Sequence, residues 1–316
     1  GDQNCLFGYN AGGSVTTGHS NIAMGAYALD AATTTSHNTA VGNAALSSAD
    51  SHYNTAIGSS SLQTATTGDR NTGCGYGTLY DTTTGSQNTA CGMSALENNT
   101  TGSANCSVGY NTLVGNTTGD YNTAVGHQAL FANTTTSNLT AIGWNALGAN
   151  TTGTANTAVG YSALDANTTG VRNTAVGYEA LDANTTHNYC VAVGSYALGN
   201  AAGNFNIGVG DYAGWDISSG GQNVIVGASA GYNISTGTYN VCLGYTAGQG
   251  QITTGSNLLF IARSNTGAGN ATTWIYGQAD GDLYQGNNTT TWSTTSDRRL
   301  KKNIVDNNKG LAEINQ

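Results

Sequence analysis

Residues 156–172 read NTAVGYSALDANTTGVR, and residues 173–189 read NTAVGYEALDANTTHNY. Adjacent stretches that agree this closely are copies of one unit, and the copies run far in both directions. The five-residue word that opens each copy ends on Gly8, Gly25, Gly42, Gly58, Gly75, Gly92, Gly109, Gly126, Gly143, Gly160, Gly177, Gly194, Gly210, Gly227 and Gly244. Twelve of the fourteen intervals between these glycines are 17 residues and two are 16, so the architecture is a repeat before any local propensity is weighed. A degenerate sixteenth copy, Asn257 to Ile261, loses its glycine and reads as the closing unit, atypical as terminal repeats are.

Aligned copies expose columns. The fourth position of the word is apolar throughout (Phe7, Met24, Val41, Ile57, Cys74, Cys91, Val108 and onward), and it is expected to face a core. Five positions later runs a leucine column, Leu29 to Leu198, in which glycine replaces leucine in the first copy and the last three. Just before it lies a small-residue column that includes Ala28, Ala45, Ala95, Ala129 and Ala163. A unit of 17 residues is about half the length of a helical-hairpin repeat and lacks a 3.6-residue period, which rejects helix. Thr and Val alternating with Ala, then a polar Asn-Thr-Thr-Gly bend, predict two short strands per unit joined by tight bends. The expected fold is all-β: a parallel β-solenoid of about 15 coils, stacked at ~4.8 Å into a rod on the order of 70 Å long. The chain contains no proline, as a stack that uses backbone N–H groups on both sides of each strand requires. The glycine column predicts a positive φ, a close backbone approach, or both.

Composition narrows function. Only 8% of the 316 residues are charged, and Lys+Arg 8 against Asp+Glu 17 leave a formal charge of −9, which repels a phosphate backbone and argues against a nucleic-acid partner. Apolar runs of a few residues are far short of the ~20 that cross a bilayer, and no basic stretch followed by an apolar run opens the sequence.

The apolar-Gly word resembles the head repeats of trimeric autotransporter adhesins, parallel β-rolls that associate as three chains. That resemblance covers residues 4 to 261 and implies a homotrimer. Farther on, Trp274 to Gly277 and Asp282 to Gly286 read as a β-hairpin or neck, and Ser296-Asp297-Arg298-Arg299-Leu300-Lys301-Lys302-Asn303-Ile304 looks like the opening of the endosialidase-type intramolecular chaperone of bacteriophage tail fibres and spikes. The expected domains are therefore a repeat shaft (1–262), a hairpin or neck (263–295) and the start of a chaperone (296–316). The family resemblance implies cleavage between Thr295 and Ser296 by a dyad of Ser296 and Lys301, with Asp297 beside the nucleophile. A lysine of lowered pKa can take the serine proton, so one self-cleavage is reasonable chemistry.

Other features have plainer readings. Cys5, Cys74, Cys91, Cys106, Cys190 and Cys242 are expected as free thiols serving as small core residues; they contain no CxxC pair, and no metal or cofactor is implied. The histidines fall mostly in turns. Tyr9, Tyr76, Tyr110, Trp144, Tyr161, Tyr178 and Tyr245 form a partial file after the glycine, either a stacking ladder or a sugar-contacting stripe. The sequons at Asn116, Asn133, Asn150 and Asn167 are turn chemistry or, in a eukaryotic secretory pathway, glycosylation acceptors. Rows of threonine are also a feature of ice-binding solenoids. The leading expectation is a structural shaft of a bacteriophage tail fibre, located on the virion tail or another outer surface. It would bind itself, other tail proteins and a host glycan or protein receptor. The alternatives are a bacterial or algal adhesin or extracellular filament, and a carbohydrate-active spike, for which Asp165 and Asp182 share a column without a convergent partner.

Overall fold

The computed structural model describes residues 3–250, 252–262, 273–277 and 283–285. Sixteen short strands, from β1 (Cys5–Phe7) and β2 (Ile22–Met24) to β15 (Val241–Leu243) and β16 (Leu259–Ala262), pair in sequence order as one parallel ladder. The register advances by one repeat at each step, as in Thr157↔Thr174, Ala158↔Ala175 and Val159↔Val176. The chain is thus a β-solenoid with one coil per repeat, and no helix occurs among the described residues. Each coil carries one regular strand, not the two expected: the leucine-bearing segment runs through turns with left-handed residues instead of a second strand, and turns and bends make up the rest. Beyond the stack, β17 (Thr273–Gly277) pairs antiparallel with β16, and β18 (Leu283–Gln285) antiparallel with β17.

The apolar fourth column does not face the core. In a three-residue strand the side chains alternate, so one residue points inward and its two neighbours outward. The inward residue is the third of the word: Ala23, Ala40, Ala56, Ala90, Ala124, Ala141, Ala158, Ala175 and Ala192 are all fully buried. Where leucine stands opposite, the interior is narrow at that wall and accepts little more than a methyl group; in the last coils, beyond Leu198, the same inward position holds Ile225, Cys242 and Phe260, all buried. At Gly73 an added Cβ would stand 2.8 Å from Thr78 Oγ1. The second and fourth residues lie on the outer face, where Met24 is 45%, Ile142 39% and Val193 37% exposed.

The opposite wall is built from the leucine and alanine columns, Leu29 to Leu198 and Ala28 to Ala247, which are fully buried. These leucines adopt φ near +50°, for example Leu147 at 51° and Leu164 at 52°. A left-handed leucine costs about 1 kcal/mol or more, offset by burial of its side chain, which is worth roughly 1.5–3 kcal/mol. Where glycine stands instead, at Gly12, Gly214, Gly231 and Gly248, φ is 54–70° and the strain is gone. In the last three of these coils the missing volume is refilled from the turn and the strand. Three or four residues on, an isoleucine (Ile217, Ile234, Ile252) occupies the interior where other coils have asparagine, threonine or alanine, and its Cδ1 stands 2.6–3.1 Å from where the glycine's Cβ would be, while Ile225 and Cys242 of the strand close in from the other side.

Both expectations for the glycine column hold. These residues have φ of 114–143°. An added Cβ would also press on the backbone of the next coil: at Gly109 it would lie 2.6 Å from the Gly126 carbonyl oxygen.

Candidate functional site

Two buried files of asparagine bind coil to coil. In the first, at the opening position of each word, Asn71 Nδ2 donates to the Gly85 carbonyl at 2.8 Å, while Asn71 Oδ1 accepts the Asn88 N–H at 2.9 Å. The pattern recurs along the rod, as at Asn105 and Asn122. The second file contains the sequon asparagines. Asn116 Nδ2 donates to Asn99 Oδ1 at 2.8 Å, Asn133 Nδ2 to Asn116 Oδ1 at 3.0 Å, and Asn167 Nδ2 to Asn150 Oδ1 at 2.9 Å. Asn116, Asn133, Asn150 and Asn167 are fully buried, so a folded coil offers none of them as a glycan acceptor. None of these four takes a left-handed φ either. Their role is to satisfy backbone and one another inside the core, which the turn reading missed.

Departures from these files coincide with two shallow clefts. Leu139 stands where the first file has asparagine; its N–H donates to Asn122 Oδ1 at 3.0 Å, but it offers no oxygen to Asn156 N–H. On the neighbouring flank a polar side chain usually accepts the N–H of the coil before it, as Asn188 Oδ1 does for Val171 at 2.7 Å and Ser137 Oγ for Asp120 at 2.9 Å. Val171 has no such atom for Thr154. Among the described residues, the backbone N–H groups of Thr154, Ala155 and Asn156 have no acceptor. A shallow cleft of about 480 Å³ lies here, lined by Thr135, Ser137, Asn138, Thr154, Ala155 and Arg172 among others. A second cleft, of about 420 Å³, lies three coils away against Asn204, Phe205 and Gly221. It coincides with a similar interruption, where Cys190 replaces asparagine and Gly221 lacks a side chain.

Arg70 and Arg172 are the two cations among the described residues. Each lies over a tyrosine of an adjacent coil, Arg172 with its guanidinium carbon 5.5 Å from the Tyr189 ring centre and Nη1 donating to Tyr189 Oη at 3.0 Å.

The aromatic file is a stack. Trp144 and Tyr161 have ring centres 4.7 Å apart, and Tyr161 and Tyr178 5.0 Å, with interplanar angles of 13° and 8°. His127 extends it on one side, and Tyr196 and Tyr212 on the other. In this central run Tyr161 has both ring faces taken up by neighbouring rings, which leaves mainly edges outward; Tyr76 and Tyr245 stand outside the stack, 61% and 62% exposed.

The cysteines divide by column. Cys190 and Cys242 are core residues, while Cys5, Cys74 and Cys91 are exposed and Cys106 is half-buried, because these four occupy the outward positions of the strand. All six are free. Cys74 and Cys91 pair in register, and the Cys91 thiol is pushed up by burial and by the charge and hydrogen bond of Cys74. Among the described residues, no group of three or more His, Cys, Asp or Glu is placed to hold a metal ion. The sequence-predicted cleavage residues Ser296, Asp297 and Lys301 lie outside the described residues.

Asp165 and Asp182 sit in successive coils with different partners. Asp165 accepts from Asn145 Nδ2 at 2.6 Å; its pKa is raised by burial, and that hydrogen bond works against the rise. The position equivalent to Asn145 in the next coil is Ser162, and Asp182 Oδ1 has no partner. Burial, then the charge of Glu179, push the Asp182 carboxyl up to about 6, with Asp165 adding a smaller part. Because the folded-state value exceeds the unfolded one, ionisation opposes folding. The penalty is absent below about pH 4, grows between 4 and 6, and is complete above 6. Asp182→Asn is therefore expected to raise stability by about 1 kcal/mol at pH 7, after discounting for the half-exposed site, and by nothing at pH 4. Denaturant titrations of the variant and parent at the two pH values check this.

No protein-family model matches the chain, and no match was found among curated proteins or solved structures.

Proposed function

We propose that this chain is the shaft of a fibre, a homotrimer of β-solenoids that forms part of a bacteriophage tail fibre or a comparable surface appendage and serves host attachment. One observation carries the reading. The outer face of the sixteen-strand ladder has two outward positions per coil, and no charged residue occupies any of them. One of the two files is apolar in every coil, from Phe7 (73% exposed) through Val108 (36%) and Val226 (39%). An apolar file this long, flanked mostly by threonine in coils 3–11 and by valine, isoleucine or leucine in coils 12–16, is surface that calls for cover. Its rungs repeat with the coil, and a second copy of the same chain repeats with the same spacing. Three-chain assembly follows the resemblance to adhesin heads.

The remaining parts of the reading rest on residues 296–304. Ser296, activated by Lys301 beside Asp297, cuts the chain after Thr295 and releases the chaperone once the fibre has folded. Two measurements test the proposal. Light scattering on the native protein is expected to give three times its chain mass, which is 31.9 kDa for the uncut 316 residues, and a monomer at micromolar concentration overturns the assembly. Expression of the natural polypeptide that carries Ser296 is expected to yield a mature chain ending at Thr295. A chain running uncut through Ser296 overturns the cleavage.

A further inference from the structure

We infer that the cleft beside Ala155 is a binding slot for a carboxylated saccharide, with Arg172 and the Thr154–Ala155 backbone as its anion-recognising side. This deepens the host-contact part of the proposed function and depends on that part only for its biological meaning.

The slot is built by sequence departures that coincide. The last position of each coil forms a file on one flank of the rod, and around the cleft it reads Tyr121, Asn138, Ala155, Arg172, Tyr189, Phe205. Alanine between asparagine and arginine leaves a gap one rung deep. At ~4.8 Å per rung its two walls are about 10 Å apart, room for one sugar ring. Residue 154 loses its usual acceptor because the next coil offers Val171. Residue 156 loses its own because the preceding coil offers Leu139. The Ala155 N–H also goes unpaired, although its equivalents in the neighbouring coils, Asn138 and Arg172, donate to Asp120 and Thr154 carbonyls at 3.1 and 3.0 Å. Ala155 has φ of 57°, and successive N–H groups running into a left-handed residue form a concavity that suits an anion.

The chemistry of the lining selects the ligand. Thr154 and Ala155 are exposed, so their unpaired N–H groups are open to an acceptor from outside, and the guanidinium adds a full positive charge. Tyr189 holds that guanidinium by its ring face and hydroxyl, using one N–H and leaving the fork's other donors free, which matches a planar carboxylate. No Asp or Glu lines the cleft, so nothing within it opposes an anion. The remaining lining comes from Thr135, Thr136, Thr152, Thr154, Ser137 and Asn138, which bring hydroxyls and an amide together with about as much apolar surface. That mixture suits a saccharide, which presents hydroxyl groups and C–H faces side by side.

The test uses the full chain and trigalacturonic acid as the probe, with maltotriose as a neutral control and inorganic phosphate as a bare-anion control, read by calorimetry or NMR. Trigalacturonate is expected to bind and maltotriose not to. Arg172→Gln is expected to weaken binding about tenfold, the scale of one charge-assisted bidentate contact. Val171→Asn places an acceptor against the Thr154 N–H, as Asn188 does one coil later, and is expected to weaken binding while the melting temperature stays level or rises. A merely damaged coil cannot give that combination. Undetectable trigalacturonate binding at millimolar concentration, equal binding by maltotriose, equal binding by phosphate, or indifference to both substitutions each overturns the saccharide slot. Native mass measured on the same samples keeps the two proposals apart: a monomer that still binds trigalacturonate sinks the trimer and leaves the slot standing.

Discussion

Gly109→Ala is expected to unfold the middle of the rod. Gly109 has φ of 133°, a backbone conformation essentially reserved for glycine, and the new methyl group would sit 2.6 Å from the Gly126 carbonyl oxygen and 2.8 Å from its carbon. Neither atom has room to retreat, because Gly126 is itself fixed between coils: its N–H donates to the Val108 carbonyl at 2.8 Å. Relieving the overlap means separating coils 7 and 8, which strips the ladder and the buried Asn105–Asn122 contact together. The cost is expected to be on the order of 4 kcal/mol, in the range reserved for disrupted cores and strained backbone. Because each coil touches only its neighbours, the damage should be local at first. Hydrogen exchange is expected to show protection lost at coils 6–8 and kept at coils 11–13. A variant with parental denaturation and exchange would mean that the coils are not in contact at their glycines.

The second large effect concerns the outer face. Val159→Lys combined with Val193→Lys places two cations on a sheet surface that is otherwise free of charge, at positions whose side chains are half-buried or exposed in the single chain. The single coil should tolerate this, since the ammonium groups remain in water. An assembly that covers the face should not: a desolvated, unpaired lysine costs several kcal/mol, and symmetry repeats that cost in every chain. The expected result is a native mass falling from three chains to one, with little change in the β-rich circular dichroism. The natural cysteines report the same event. Cys74 and Cys91 lie on this face and are expected to alkylate slowly in the parent and quickly in the variant, whereas Cys190 and Cys242 stay unreactive in both until the chain unfolds. Unchanged mass and unchanged alkylation would place the interface elsewhere or remove it.

The repeat, the parallel stacking, the absence of helix among the described residues and the double role of the glycine column were all legible from sequence, because a fixed period with a recurring glycine leaves few alternatives. Which strand face turns inward was not. Valine is more apolar than alanine, so pattern alone assigns Val159 to the interior and leaves Ala158 unremarked. What decides is the width between walls, a tertiary quantity, which admits Ala158 opposite Leu164 and admits a branched side chain, Ile225, only where glycine has replaced the leucine. The left-handed leucines were hidden for a related reason: leucine is disfavoured at positive φ, and only the occasional glycine in the same column, at Gly12 or Gly231, betrays the backbone requirement. The asparagine files were visible as letters but not as contacts, since asparagine is common in turns and rare in cores. The slot beside Ala155 had a signal that could have been followed. Leu139 and Val171 break columns that are polar in most other coils, and a break in a strict repeat is where local chemistry differs.

The direction of the ladder bonds carries a mechanical consequence. Strand-to-strand hydrogen bonds run along the rod, coil upon coil, so tension applied between its two ends does not shear many bonds at once. It loads the terminal coil's bonds first and peels that coil away before the next is strained. Each yielding coil would release 17 residues, roughly 55 Å of extended chain, as a discrete step. A tether made this way yields gradually under a pull and lengthens in increments instead of snapping, and its slack is set by how many coils it contains.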